Sequence, residues 1–384
     1  VPPTSPDCAD SAGIWGLRQV RVSVLGVDDD PQSIVAGLAE LGDVTGVWEL
    51  AEQRLQAGDA RFVTDLGVAI WREYGGDPTT PWQYRSVFDR TLRLLTLTPG
   101  VIDQAVRLIA VAQDRRQIRY AASLLASAHS VADLAVVFDA GGSEELRVCL
   151  LQELVLRGAE VHHPWVVSPH WRHHPLGWLP LSLTSIEGHP SRPRYHLGGG
   201  SHDLPVMAAE PVHGHGPVPR WQETTTSGEV AALSAAVDNW AEESNGRIEA
   251  RTFAFDDDLP PDAVGDALLS VGLECTQGMT TGLGACSPPQ AWRQLFSAAS
   301  TGGAYNRGEF GAYGRLLAWR SVAALVGAPH GAAVGDVEAL AHRCSWYSFA
   351  GSTAWFDRIA WDIGLAVVSP DRRRLAVLAA SDTD

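Results

Sequence analysis

Val101-Ile-Asp-Gln-Ala-Val-Arg-Leu-Ile-Ala-Val-Ala-Gln113 and Gln117-Ile-Arg-Tyr-Ala-Ala-Ser-Leu-Leu-Ala-Ser-Ala128 are separated by three polar residues, and together they decide the fold class. Ile102, Ala105, Val106 and Ile109 in the first run, and Ile118, Ala121, Ala122 and Leu125 in the second, recur at three- and four-residue steps. That period places each set on one face of a helix. A link this short leaves the second helix no course but to run back along the first.

The same pattern extends on both sides. Helices are expected over residues 47–57, 60–74, 84–97, 131–138 and 144–156. Breakers stand between them: Gly58-Asp59, Gly75-Gly76-Asp77-Pro78, Thr98-Pro99-Gly100, His129-Ser130 and Gly141-Gly142-Ser143. The segment reads as stacked helical hairpins, like a HEAT or armadillo array, although no repeat of fixed period is visible. An irregular helical bundle is the alternative.

Downstream the pattern changes twice. Between His162 and Trp221 the chain is rich in Pro, Gly, His and Trp and has no sustained period. Trp165, Trp171 and Trp178 argue that this stretch lies against the core, since burying such rings gives a large apolar gain. Beyond it, residues 228–243 read as helix and the alternation over 247–255 as strand. Helices are expected at 261–271, after the Ser287-Pro288-Pro289 cap, and over 311–326 and 334–343, and a hairpin, 364–369 and 374–379, closes the chain. The fold class is therefore α+β, mostly α: a helical-hairpin array followed by a small antiparallel sheet, about three strands, with helices packed on one face.

Four regions follow: a poorly defined segment 1–42, in which Val20, Val22 and Val24 could form one edge strand; a helical-repeat-like domain 43–160; a His/Trp/Pro-rich connection 161–227; and an α+β domain 228–384. Val1 in place of Met points to an alternative start codon or a trimmed chain.

Composition narrows the function classes. The 384 residues carry a formal charge of −16, which disfavours a polyanionic partner, so no nucleic acid is expected. All 29 basic residues are Arg, so Schiff-base and P-loop lysines are absent; the bias suits a GC-rich genome. Five scattered cysteines make no C-x-x-C pair and imply neither a disulfide framework nor a zinc ribbon. No run reaches the roughly 18 apolar residues of a membrane span, and no membrane association is expected. The cytoplasm is the expected setting.

Ala298-Ala-Ser-Thr-Gly-Gly-Ala-Tyr-Asn306, Gly311-Ala-Tyr-Gly-Arg-Leu-Leu-Ala-Trp-Arg-Ser321, Trp355-Phe-Asp-Arg-Ile-Ala-Trp-Asp-Ile-Gly364 and Ser369-Pro-Asp-Arg-Arg-Arg-Leu-Ala-Val-Leu-Ala379 resemble an uncharacterised family of high-GC, actinobacterial-type bacteria, domain of unknown function 6183. The resemblance covers most of the chain after Asp43. It implies a shared fold and an intracellular setting, and carries no mechanism.

Three constellations are candidates for chemistry. Ten of the thirteen histidines lie between residues 162 and 215; His173, His174, His196 and His202 could hold a divalent metal, the one cofactor considered, or could equally be exposed side chains of a polar loop. The glycine-rich stretch 300–314 could let backbone amides approach an anion, with Arg307 and Arg315 supplying charge, or could simply join two close helices. Arg315 and Arg320 stand in an otherwise apolar helix, where a guanidinium needs a carboxylate or a bound anion; Asp357 and Asp362 are the expected partners.

Two function classes remain: a protein-interaction or binding protein, of accessory or immunity type, with a protein partner; and a small-ligand binder or enzyme. The second would have a pocket where the His/Trp-rich segment meets the C-terminal region, using Tyr305, Asn306, Arg315 and one acid. A concave pocket with converging polar groups favours the latter, a broad exposed apolar face the former.

Overall fold

The computed structural model describes residues 30–75, 77, 79–203, 205, 210–279, 283–349, 353–356 and 361–382. The expected strand at Val20–Val24 and the carboxylate of Asp357 lie outside these residues. The chain is α+β and mostly helical.

The N-terminal helices are α1 (Pro31–Gly37), α2 (Thr45–Gln56), α3 (Ala60–Tyr74), α4 (Trp82–Leu97), α5 (Ile102–Val111), α6 (Arg115–Ala128) and α7 (Glu144–Leu156). Several start where a side-chain oxygen accepts an otherwise orphaned amide: Asp59 from Phe62, Asp114 from Gln117 and Ser143 from Leu146. Their apolar stripes meet in pairs: α3 packs on α4 and α5, α4 on α6, and α6 on α7. Two expectations are corrected here. Residues 31–40 form a helix and a 3-10 turn that bury Ile34, Val35 and Leu38. In place of a helix over 131–138 there are turns and a π-helical segment, Val137–Gly141, where Gly141-Gly142 withholds the Cβ atoms that close packing on Val106 and Val137 forbids.

The connecting segment does lie on the core. It forms a five-residue helix α8 (Pro169–His173), two 3-10 turns, and a two-stranded hairpin of β1 (Arg194–His196) and β2 (Gly199–Ser201). Trp171, Leu176, Leu179 and Ile186 are buried, and the Trp178 indole donates to the carbonyl of Ala332 at 2.9 Å.

The C-terminal region contains strands β3 (Glu210–Pro211), β4 (Trp221–Glu223), β5 (Arg247–Phe255), β6 (Gly284–Cys286), β7 (Ser345–Ser348), β8 (Trp361–Val368) and β9 (Arg374–Asp382). They form one antiparallel sheet in the order β3-β6-β7-β8-β9-β5-β4. The three strands expected from sequence are adjacent in it, as β8-β9-β5. Around it stand α9 (Ser227–Ser234), α10 (Asp238–Glu243), α11 (Val264–Ser270), α12 (Pro288–Thr301), α13 (Phe310–Leu325) and α14 (Val334–Ala341). The single helix expected over 228–243 is two, broken after Ser234.

Both faces of the sheet are covered, where one was expected. Along β9 the side chains alternate between two cores: Ala376, Leu378 and Ala380 join the large cluster shared with α12 and α13, while Leu375, Val377 and Ala379 join a smaller one with Val264, Ala267 and Leu268 of α11. An uninterrupted apolar strand such as Leu375–Ala380 is the mark of a strand buried on both sides. The large cluster continues from Ile34 to Ala380, so the N-terminal helices and the sheet share one core.

Gly364 in β8 shows how tightly that core closes. A Cβ there would strike the backbone carbonyl of Phe349, whose amide donates to the Gly364 carbonyl at 2.9 Å. Backbone cannot rotate away, so Gly364→Ala is expected to destabilise the chain by about 1–3 kcal/mol. A urea midpoint unchanged from the parent would refute that packing.

Candidate functional site

One face of α4 turns away from the core. Trp82, Arg85, Ser86, Asp89 and Arg93 fall at steps of three and four residues and line a cleft of about 680 Å³, while Tyr84, Val87, Phe88, Leu92 and Leu95 are buried. The opposite lip is the β1–β2 hairpin. It is fixed by Tyr195, whose hydroxyl lies 2.9 Å from Ser123 Oγ and whose ring packs edge-on to Tyr120. Burial pushes the Tyr195 hydroxyl well above its ordinary pKa, so it stays protonated.

The loop 302–309, between α12 and α13, forms the third side. Asn306 shapes it: its Oδ1 accepts the Gly303 amide at 2.6 Å and its Nδ2 donates to the Asn239 carbonyl at 2.6 Å. Gly308 lies so close to the Ser300 backbone that no Cβ fits. Ion pairs of Arg116 with Glu243 (2.6 Å) and of Arg119 with Glu309 tie this loop and α10 to α6.

Four charged side chains line the cleft: Arg85, Arg93, Arg307 and Asp89. Arg307 donates to the buried Asp89 carboxylate at 2.7 Å, and that charge raises the pKa of Arg307 despite the opposing effect of burial. Arg93 is half-buried, and its acceptors are neutral: the Leu197 carbonyl at 2.8 Å and the Tyr120 hydroxyl at 3.4 Å. Arg85 is exposed and has no hydrogen-bonding or ionic partner among the described residues. Two cationic side chains thus face the cleft without a carboxylate of their own. His202 also lines it, and desolvation holds its imidazole below the ordinary histidine pKa, with Asp203 opposing.

The residues singled out from sequence are dispersed. Asn306 lines the cleft, and Tyr305, 61 % exposed, lines an adjoining cavity. Arg315 is elsewhere and fully buried. Its partner is Glu187, correcting Asp357 and Asp362: Nε donates to Oε1 at 2.5 Å and Nη2 to Oε2 at 2.8 Å. The remaining donors go to Gln152 Oε1 and to the carbonyls of Pro180 (2.8 Å) and Ser182 (2.9 Å). All five N–H groups are therefore engaged, which leaves none for a ligand. Arg320 is exposed on α13, and the Asp362 carboxylate instead accepts Ser381 Oγ at 2.7 Å across the β8–β9 pair.

The histidines do not converge either. His173 Nδ1 meets the Pro169 carbonyl at 2.8 Å and His174 Nε2 meets Glu145 at 3.0 Å, whereas the Nδ1 of His196 accepts the Gly198 amide at 3.1 Å on the hairpin and His202 lines the cleft. Among the described residues no three His, Cys, Asp or Glu side chains are grouped to hold a metal ion. The clustering in sequence reflects composition along a winding segment.

Nor is a thiolate on offer among the described residues. Burial raises the thiols of Cys149 and Cys275 far above their usual range and pushes Cys286 up to about 12 and Cys344 up to about 11. Each stays protonated near neutral pH and is a poor nucleophile.

An α+β chain with an arginine-lined cleft between an N-terminal helix, a hairpin and a glycine-bearing loop is the class that fold and site define. The chain belongs to a family of unknown function, DUF6183, whose model matches residues 45–384. No curated protein and no solved structure matches it.

Proposed function

We propose that the chain is a binding protein whose cleft between α4, the β1–β2 hairpin and the loop 302–309 takes a small ligand bearing an anionic group. One observation carries this reading: on a chain of net charge −16, the cleft is lined by three arginines and one carboxylate. Unpaired guanidinium groups set in a concave, partly desolvated wall attract anions more strongly than the same groups on open surface. The protonated thiols of Cys286 and Cys344 offer no nucleophile, which favours binding over thiol-based catalysis.

Titration calorimetry of the full chain with pyrophosphate at low ionic strength tests it. Binding is expected in the micromolar to millimolar range, about −4 to −8 kcal/mol, and should weaken as salt is raised. No heat of binding up to about 10 mM, beyond the millimolar end of that range, would sink the reading.

A second reading, an interaction module with a protein partner, draws support from the exposed side chains of Val131, Val136 and Val167. A stoichiometric partner recovered at low salt, and lost when these valines become Ser, is its expected result. A cytoplasmic setting suits both readings, since Cys149, Cys275, Cys286 and Cys344 are free thiols. Among the described residues no helix is long and apolar enough to cross a membrane.

A further inference from the structure

The cleft does not stop at the Arg307–Asp89 pair. A second cavity of about 380 Å³ lies against it and shares Arg85, Asp89, Asn306 and Arg307 with the first. Here the chemistry of the wall changes. Trp71 and Tyr74, both half-buried, supply the aromatic surface, with the buried rings of Tyr84 and Phe88 behind them and the Trp71 and Phe88 centroids 5.2 Å apart.

Into this aromatic setting comes one polar group with nothing to do. Gln117 lines the cavity, and its Oε1 is buried without a hydrogen-bond partner among the described residues. A buried amide oxygen left unpaired is costly, and such groups in native structures call for an explanation. A ligand N–H would supply the missing donor.

We infer that the ligand is a nucleotide, with its phosphates on Arg85 and Arg93 and its base in the second cavity, stacked on the aromatic wall and donating an edge N–H to Gln117 Oε1. This rests on the reading of the first cleft as an anion site. The two cavities demand different things of one molecule: negative charge at one end, and at the other a flat ring with a polar edge. Inorganic phosphates meet only the first demand, and apolar aromatics only the second. A nucleotide meets both, and the shared lining residues place the two halves within reach of each other. Long nucleic acid is disfavoured by the chain's acidic balance.

The test compares pyrophosphate with ADP, GDP, CDP and UDP by titration calorimetry on the full chain. At least one nucleotide is expected to bind about tenfold or more tighter than pyrophosphate, from stacking and one hydrogen bond. Gln117→Leu should weaken that nucleotide about tenfold while leaving pyrophosphate within about twofold, which also certifies that the variant is folded. If pyrophosphate binds and every nucleotide binds no tighter, or if Gln117→Leu weakens both alike, the base seat is wrong and the anion cleft stands. If neither pyrophosphate nor any nucleotide binds, both readings fall.

Discussion

Replacing Arg315 with leucine is expected to leave the chain unfolded or barely folded at room temperature. The guanidinium has no exposed surface, and neither has its partner Glu187. Removing one member of a buried pair leaves the other charge uncompensated, at a cost of about 3–5 kcal/mol. Glu187 would keep only the Trp319 indole at 2.8 Å and the Thr184 amide at 2.7 Å. Gln152 and the carbonyls of Pro180 and Ser182 would lose donors as well, adding about 1–3 kcal/mol for each that stays dry. The sum rivals the roughly 5–15 kcal/mol by which whole domains are stable. The double change Arg315→Leu with Glu187→Leu removes both charges together, and is expected to recover about half of the loss. Urea unfolding followed by tryptophan fluorescence reads all three proteins. A single variant within about 1 kcal/mol of the parent would show that this network is not what holds α13 to the connecting segment.

That network marks the limit of what the sequence discloses. An arginine in an apolar helix visibly requires an anion, and the requirement is met. Its source was not visible, because Glu187 lies 128 residues earlier, in a stretch without periodicity. The regular elements were legible for the usual reason: α3 to α7 and the strands β5, β8 and β9 are long enough for their 3.6- or two-residue period to show. Strands β3, β4, β6 and β7 span two to four residues, too few for a period, and so the sheet was expected to be narrower than it is. The helix expected over 228–243 breaks where no Pro or Gly stands, a choice made by packing: the Ala236 amide donates to Ser321 Oγ on α13 at 3.0 Å.

The cleft was half legible. The glycine-rich loop drew attention to Arg307, Tyr305 and Asn306, and Arg307 does face the cleft. Arg85, Asp89 and Arg93 were overlooked, although their spacing puts them on one face of α4. A charged stripe on a helix ordinarily means a solvated surface. What turns this stripe into a wall is the β1–β2 hairpin, and Arg93 reaches the Leu197 carbonyl across 104 residues of sequence. No local pattern encodes that contact.

The opposite outcome is expected for the arginines of the cleft. Arg85→Gln with Arg93→Gln should weaken pyrophosphate binding by about 100-fold or more, since each charge-assisted hydrogen bond contributes about 1.5–3 kcal/mol. The dependence of affinity on salt should flatten at the same time, because fewer charges then contribute to the attraction. Stability should move by less than about 1 kcal/mol. Arg85 is exposed, and Arg93 leaves behind only a carbonyl and a hydroxyl at the cleft, where water can replace it. Arg307 is kept, because its removal would strand the buried Asp89 and confuse loss of binding with loss of fold. Calorimetric titration and urea unfolding of the same preparation separate the two effects. Undiminished affinity in the double variant would mean that the anion lies elsewhere. A large fall in stability would mean that these side chains, like Arg315, are there to hold the chain together.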